Sequence, residues 1–276
     1  MDTPKEISQI ILPQKSSHKG QNGRLLIIGG SHLFHAASLW SLEVASRIVD
    51  LVHYSSVPEN NQIVQDLKEE FRDGIVVPRS DIDSYIDEDD CILSGPGMIR
   101  DKETEELANR LLKKYPHKKW IIDAGALQMM DISLIPNNAV LTPHAREFEY
   151  LKRRIKDDVL ISKLKNLDLK QQVKRFALHY RCIVLVKGEV DIISDGEQVC
   201  EIHGGNSGMT KGGTGDVLAG LFAAIACKND PFIAAVAGSF VNKQAGDHLF
   251  KKVGVYFNAS DLADEIPLVM KQLFFP

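Results

Sequence analysis

The sequence predicts an α/β fold, a mostly parallel sheet in a single domain with helices on both faces. Three observations carry this. Short apolar runs alternate with longer stretches of helical periodicity, as in strand–helix–strand units. The special turns, at Gly29, Gly95, Asp123, Thr142, Lys187 and Gly205, nearly all follow such runs, and in parallel sheets ligands bind beyond the carboxyl ends of strands. No internal repeat or low-complexity linker divides the 276 residues, so one unit over 1–276 is expected.

Taken in order, residues 1–23 are polar and end in His18-Lys19-Gly20-Gln21-Asn22-Gly23. Arg24 to Ile28 reads as a buried strand, broken by Gly29-Gly30-Ser31. A helix is expected from Ala36 to Val49, because Leu39, Leu42, Ala45, Ile48 and Val49 share a face. Leu51 to Val57 is strand-like, Asn60 to Phe71 helical, and Gly74 to Pro78 a short strand. Cys91-Ile92-Leu93 runs into Ser94-Gly95-Pro96-Gly97. Asp101 to Tyr115 reads as helix, with Glu103, Glu105 and Glu106 early and Lys113 and Lys114 late, matching the helix dipole. Trp120 to Ile122 and Asn138 to Leu141 are strands ending at Asp123-Ala124-Gly125 and Thr142-Pro143-His144. Helices follow at Glu147 to Ile155 and, as one longer element, Val159 to Tyr180. The apolar strand Cys182 to Val186 ends in Lys187-Gly188. Val190 to Ser194 and Gln198 to Ile202 make a hairpin around Asp195-Gly196. Asp230-Pro231 supplies the N-cap and first residue of a helix that Gly254 stops. Ser260 to Phe274 is the last helix.

The chain is organised around residues 204–228. Their first half, Gly204 to Gly215, is mostly small residues; their second half is an apolar helix pattern. Glycines let backbone approach a ligand. A helix starting near Asp216 would aim its free N–H groups and positive dipole end at an anion. Asp216 adds a carboxylate able to accept a hydroxyl proton as phosphoryl transfer begins. The plainer alternative makes Asp216 an N-cap and the glycines a flexible loop. Equally plain alternatives stand for the neighbours: His144 as a helix cap, Asp123 as a partner for loop amides, Lys187 as a snorkelling surface lysine.

Composition narrows the function. Hydrophobic content of 44%, charged content of 25% and a net charge of −4 describe an ordinary soluble chain and argue against a nucleic-acid partner. The longest apolar run, Leu218 to Cys227, is too short to span a bilayer. The start, MDTPKEISQI, lacks the apolar core of a signal peptide. Cys91, Cys182, Cys200 and Cys227 lie far apart, without the spacing of a zinc or redox pair. A cytoplasmic protein is therefore expected. No P-loop occurs, since Thr210 stands where that motif needs glycine, and Gly29-Gly30 does not continue into a dinucleotide fingerprint.

Seven motifs in order are more specific. They are His18-Lys19-Gly20, Gly29-Gly30-Ser31, Gly95-Pro96-Gly97, Asp123-Ala124-Gly125-Ala126-Leu127, Thr142-Pro143-His144 with Glu147, Val186-Lys187-Gly188, and Lys211 to Gly220 (KGGTGDVLAG). This series resembles the ADP- or ATP-dependent NAD(P)H-hydrate dehydratases of the ribokinase-like superfamily, from about residue 18 to 266. The resemblance implies repair of the S form of hydrated NADH or NADPH, by phosphorylation of the added hydroxyl and elimination of phosphate. Asp216 then matches the catalytic base. Ala37, Gly97, His144 and Asp216 match positions that contact the hydrated dinucleotide. Lys187, Gly188, Glu189, Val190 and Asp191 match the adenine-nucleotide segment, and Gly213, Thr214 and Gly215 the anion hole. Glu147 matches a carboxylate that orders Mg2+ through water. A homo-oligomer and a separate NAD(P)H-hydrate epimerase are implied partners, the epimerase domain being absent from this sequence.

The chain departs from the family pattern at Ala36, at Met98-Ile99 after GPG, at Gly125 where an acid is usual, and at Ala145-Arg146 in place of the Pro-Gly of HPGE. These departures cluster on the dinucleotide side. Two other readings stay open: a ribokinase-like kinase that phosphorylates a small alcohol without elimination, and a nucleotide-binding module without catalysis.

Overall fold

The computed structural model describes residues 3–275. Met1 and Asp2 of the N-terminal reading, and Pro276 of the expected 1–276 unit, lie outside the described residues. The elements run β1 (Arg24–Ile28), α1 (Ala36–Ala45), β2 (Leu51–Ser55), α2 (Pro58–Asp66), β3 (Ile75–Val76), α3 (Ile82–Tyr85), β4 (Cys91–Ser94), α4 (Lys102–Lys114), β5 (Lys119–Ile122) and α5 (Ala124–Met129). They continue with β6 (Val140–Leu141), α6 (Ala145–Arg153), α7 (Asp158–Leu164), α8 (Leu169–Tyr180), β7 (Ile183–Val186), β8 (Asp191–Ser194), β9 (Val199–Ile202), α9 (Thr214–Ala226), α10 (Pro231–Val253) and α11 (Ala259–Phe274).

The strands form one sheet in the order β3-β2-β1-β4-β5-β6-β7-β8-β9. Pairings from β3 to β7 are parallel, and the β7–β8 and β8–β9 pairings are antiparallel. The expected mostly parallel sheet is therefore observed, with the hairpin on one margin. Side chains alternate across it with period two. Leu25 and Ile27 enter one core with residues of α1, α9, α10 and α11; Leu26 and Ile28 enter the other with residues of α4, α5, α6 and α8. Two covered faces explain why the central strands are apolar throughout.

Strand order reverses at β1, with β2 on one side and β4 on the other. Beyond the ends of β1, β4, β5, β6 and β7, the turns stay hydrogen-bonded side by side. Gly95 N donates to Ile28 O, Gly30 N to Pro96 O, Asp123 N to Ser94 O, Thr142 N to Ile122 O and Lys187 N to Pro143 O. Antiparallel pairing puts the start of β8 opposite the end of β9, Asp191 against Ile202. The loop to Gly204-Gly205 thus opens on the same edge.

Several boundaries differ from expectation for local reasons. The long helix over Val159–Tyr180 is two helices. Asp168 accepts from Gln171 N and starts α8 afresh, a cap that periodicity alone does not register. The helix after Ala36 ends at Ala45 and continues as turns. Pro58 moves the start of α2 forward, and a short 3-10 turn, Leu67–Glu69, replaces its end. The six-residue α5 was not expected; glycine and its shortness hide it. Asp230 and Pro231 start α10 as read, and Gly254 ends it.

Helix α9 is buried along nearly its whole length, Val217 to Ala226, so it is apolar all round. It crosses α1 at close range. A Cβ on Gly220 would lie 2.5 Å from Ser41 O and 2.6 Å from Ser41 Cα. Ser41 Oγ donates to Asp216 O at 2.7 Å. The helix presenting Asp216 is thus pinned by backbone contact that a side chain would prevent. Gly220→Val should force α1 and α9 apart and destabilise by about 3 kcal/mol, the upper range for overpacking. Urea denaturation checks this, and a midpoint equal to wild type would show that the contact yields freely.

Candidate active site

The N-terminus of α9 is shaped by Gly213. Its φ is +95°, and a Cβ there would lie 2.4 Å from the Trp40 ring. Thr214 Oγ1 donates to Met209 O and Lys211 O, tying the preceding turn to the helix start. Val217 N begins the helical ladder by donating to Gly213 O, so the N–H groups of Gly215 and Asp216 precede that ladder. Asp216 is therefore not the N-cap; Gly213 holds that place and Asp216 lies in the first turn. Its carboxylate is free for another role.

That carboxylate shares its surroundings with Lys187, Asp123 and Glu147. Lys187 Nζ donates to Asp123 Oδ1 at 2.8 Å, and Thr142 Oγ1 donates to the same oxygen at 2.7 Å. Asp123 stands at the start of α5 but makes no capping bond there. It answers Lys187 and Thr142 instead of loop amides. Lys187, whose side chain is 20% exposed against 3% for Asp123, is not a snorkelling surface residue. Burial pulls its pKa down, but Asp123, Glu147 and Asp216 outweigh burial and hold it above the ordinary value.

Asp216 is pushed the other way. Burial, and then the Asp123 charge, raise it from 3.8 to about 7, with Lys187 opposing. Burial and the neighbouring Asp123 and Glu147 charges outweigh the one ammonium, which is already hydrogen-bonded to Asp123. A carboxylate poised near neutrality suits a general base.

His144 and Glu147 form a capping box at α6. Glu147 N donates to His144 Nδ1, and His144 N donates to Glu147 Oε2 at 2.9 Å. His144 is thus a cap as well as a cleft residue. Gln128 Nε2 donates to the other Glu147 oxygen at 2.6 Å. Each oxygen has further acceptor capacity beyond these bonds.

Three adjoining cavities run along the sheet edge. One of about 670 Å³ is lined by Lys187, Gly188, Glu189, Asp191, Thr214 and Gly215, among others. A second, of about 500 Å³, is lined by Ala37, Gly97, Met98, Ile99, Gly125 and Asp216. His144 borders the first and a third, rather than the second. Gly97 has φ +73°, and a Cβ there would crowd Ala37 Cβ at 2.9 Å. Val190 and Gly213 do not line the first cavity; Gly213 acts through the turn it permits. Asp191 reaches it but is committed to structure: it accepts from Gly188 N at 2.9 Å and from buried Ser239 at 2.7 Å.

The sequence reading missed the residues that hold this wall. Buried Lys243 donates to Gly188 O, Glu189 O and Gly204 O, joining the two loops of the first cavity. Its signal was a lysine inside the otherwise apolar start of α10. Next to it, Asn242 lines the same cavity, and its buried Oδ1 has no hydrogen-bond partner among the described residues. The departures from family pattern also meet. A Cβ on Gly125 would lie 2.2 Å from Met98 O, so the glycine that replaces the usual acid packs directly against the altered GPG turn.

The family model described as NAD(P)H-hydrate dehydratase matches residues 25–268. The chain belongs to that family. Among curated relatives, it is 34% identical to an ADP-dependent (S)-NAD(P)H-hydrate dehydratase of Nitrosopumilus maritimus, covering 96% of this chain and 94% of that one. It is also 34% identical to the bifunctional NAD(P)H-hydrate repair enzyme Nnr of Methanocaldococcus jannaschii, over 93% of this chain and 50% of that protein. The chain thus spans about half the length of the bifunctional relatives it matches. A solved ribokinase-like superfamily protein from Enterococcus faecalis V583 superposes with a TM-score of 0.83 at 23% identity, covering 98% and 95% of the two chains. An ADP/ATP-dependent NAD(P)H-hydrate dehydratase from Bacillus subtilis, co-crystallised with ATP and Mg2+, gives 0.77 at 20% identity, covering 97% and 96%. These likenesses establish the ribokinase-like fold. No described helix is long and apolar enough to cross a membrane.

The raised Asp216 pKa has a stability consequence. Between pH 3.8 and about 7 the folded dehydratase-family chain keeps a proton that the unfolded chain has lost. Stability from this group therefore falls as pH rises through that window and is flat above it. Asp216→Asn removes the dependence. Its urea midpoint should exceed that of wild type at about pH 8.5, and the difference should shrink as pH falls and level off below pH 3.8. A lower midpoint for the variant at the higher pH would mean that the ionised carboxylate stabilises the fold.

Proposed function

We propose that this chain carries out nucleotide-dependent dehydration of the S form of hydrated NADH or NADPH, restoring the reduced dinucleotide. The observation that carries the reading is a base-poised Asp216 at the joint of two cavities, beside the amide-rich start of α9. ADP or ATP lies along Lys187 to Asp191 with its terminal phosphate at Gly213, Thr214 and Gly215. The hydrated ring lies against Ala37, Gly97 and Asp216, with His144 between the two ligands. Family membership and the ADP-dependent relative of matching length support this assignment.

Asp216 accepts the proton of the ring hydroxyl as its oxygen attacks the terminal phosphorus. The bond from phosphorus to the bridging oxygen breaks, releasing AMP from ADP or ADP from ATP. The N–H groups at the start of α9 and the Lys187 ammonium face the charge on the transferred group. The ring C–O bond then breaks. Phosphate leaves with the electron pair, and loss of a neighbouring ring proton restores the double bond.

Among the described residues, no group of three histidine, cysteine or carboxylate side chains could hold a metal. That fits Mg2+ carried on nucleotide phosphates, with most of its water retained. Glu147, with a lone pair left on each oxygen, would face that water. When bound, the ion neutralises phosphate charge beside a cluster of three carboxylates and one lysine.

The chain is proposed to act as one domain in the cytoplasm, as a homo-oligomer, upstream of which a separate epimerase supplies the S form.

Asp216→Asn should fold, bind nucleotide and lose repair activity by about 10²-fold or more, the scale of general-base loss. The assay is recovery of reduced-nicotinamide absorbance from hydrated NADH, with nucleotide and Mg2+ in excess. A variant rate near wild type would remove Asp216 from the mechanism. Nucleotide-dependent phosphorylation of an alcohol, with no dehydration by wild type, would favour a kinase of the same fold. Gly215→Val tests the anion site separately. A Cβ at Gly215 already lies 3.6 Å from Lys187 Nζ, and valine branches would enter the space for phosphate. Nucleotide affinity should fall about tenfold or more, measured by calorimetry; an unchanged affinity places the phosphate elsewhere.

A further inference from the structure

A third cavity, of about 580 Å³, adjoins the one at Asp216 and shares Arg100 and Gln128 with it. Three guanidinium groups line it, Arg100, Arg146 and Arg153, against two carboxylates, Glu147 and Glu149. Both carboxylates are engaged. Glu147 accepts from His144 N and Gln128, and Glu149 pairs with Lys152 at 2.5 Å. Arg146 and Arg153 form no ion pair among the described residues, whereas Arg100 is held by Gln128. Single exposed arginines are ordinary surface features. Here three converge on a concave wall that continues the catalytic cleft.

Their spacing is ordered. Arg146 and Arg153 lie seven residues apart on α6 and share one face, about 10 Å apart along the axis. Tyr150 lies between them on that face and lines the same cavity. Its ring is backed by the Arg154 guanidinium at 5.4 Å, and an aromatic of this kind offers a stacking surface to a purine. Arg146 also stands where the family motif has glycine.

We propose that this cavity binds the adenosine half of the hydrated dinucleotide and that Arg146 and Arg153 select the form carrying a 2′-phosphate, hydrated NADPH over hydrated NADH. The inference rests on the dehydratase reading for the placement of the ring at Asp216. Arg100, at the joint of the two cavities, is placed for the bridging diphosphate common to both forms. The two arginines beyond it exceed what that diphosphate needs. A phosphomonoester adds nearly two negative charges and three acceptor oxygens, which guanidinium groups bind in paired hydrogen bonds.

The test uses the whole chain with its nucleotide cavity saturated by ADP. NADP+ and NAD+, stable dinucleotides with the two adenosine halves, are titrated by calorimetry. Wild type should bind NADP+ roughly tenfold more tightly or better. Arg146→Gly, Arg146→Gln and Arg153→Gln should reduce that gap to about twofold or less while the affinity for ADP stays unchanged. In turnover, kcat/KM should fall for hydrated NADPH and hold for hydrated NADH. Equal binding of NADP+ and NAD+ by wild type overturns the proposal. So does an equal loss for both dinucleotides in the variants, which would assign the arginines to the shared diphosphate. Selective binding without dehydration of either hydrate supports the site and removes the dehydratase reading. Dehydration of both hydrates without selectivity does the reverse.

Discussion

The structure depends on one lysine among three carboxylates. Lys187 ends β7, Asp123 follows β5, and Glu147 opens α6 just after β6. Neighbouring strands in the sheet order β5-β6-β7 bring these positions within reach of one another. Asp216 arrives from the other direction, on a helix more than twenty residues further along. The Lys187–Asp123 pair is worth little as a stabiliser, since desolvating both charges offsets their attraction. Its effect is on the third group. Asp216 is pushed up first by its own burial and then by the Asp123 charge, and an ammonium already committed to Asp123 only partly opposes them.

Much of this was legible in the sequence because it is local. The order of strands and helices, the hairpin around Asp195-Gly196, the cap at Asp230 and the small-residue run before α9 each declare themselves within a few residues. The site was legible only in outline. Asp123 and Lys187 stand 64 residues apart, and nothing in either segment names the other as partner. Read singly, each invites a bland role, and both bland roles fail for the same reason: each residue satisfies the other. For Asp216 too the plainer alternative, a cap, fails: glycine at 213 takes that position, with φ +95° and the Trp40 ring where a Cβ would stand.

Lys243 illustrates a different limit. Sequence patterning treats α10 as a buried apolar helix, and a lysine in it looks like an interruption. In the folded chain its three donors meet three carbonyls of two loops, so the charge is buried without being orphaned. The nucleotide-side wall is then a consequence of an interior helix rather than of the loops' own preferences. The dinucleotide side is built otherwise, from backbone packed on backbone at Gly125 and Met98. Gly125 and Met98, two of the departures from the family pattern, meet in that contact.

The close crossing of α1 and α9 sets where this molecule can move. Amides in the middle of α9 are shielded by α1, α10 and the sheet, so their hydrogen exchange would wait for global opening. The loops at Gly204–Gly212 and the arginine-bearing face of α6 lack such cover. Adjustment to ligands is thereby confined to the rims of the cleft, while the base and the phosphate-facing amides travel as one rigid body with the core.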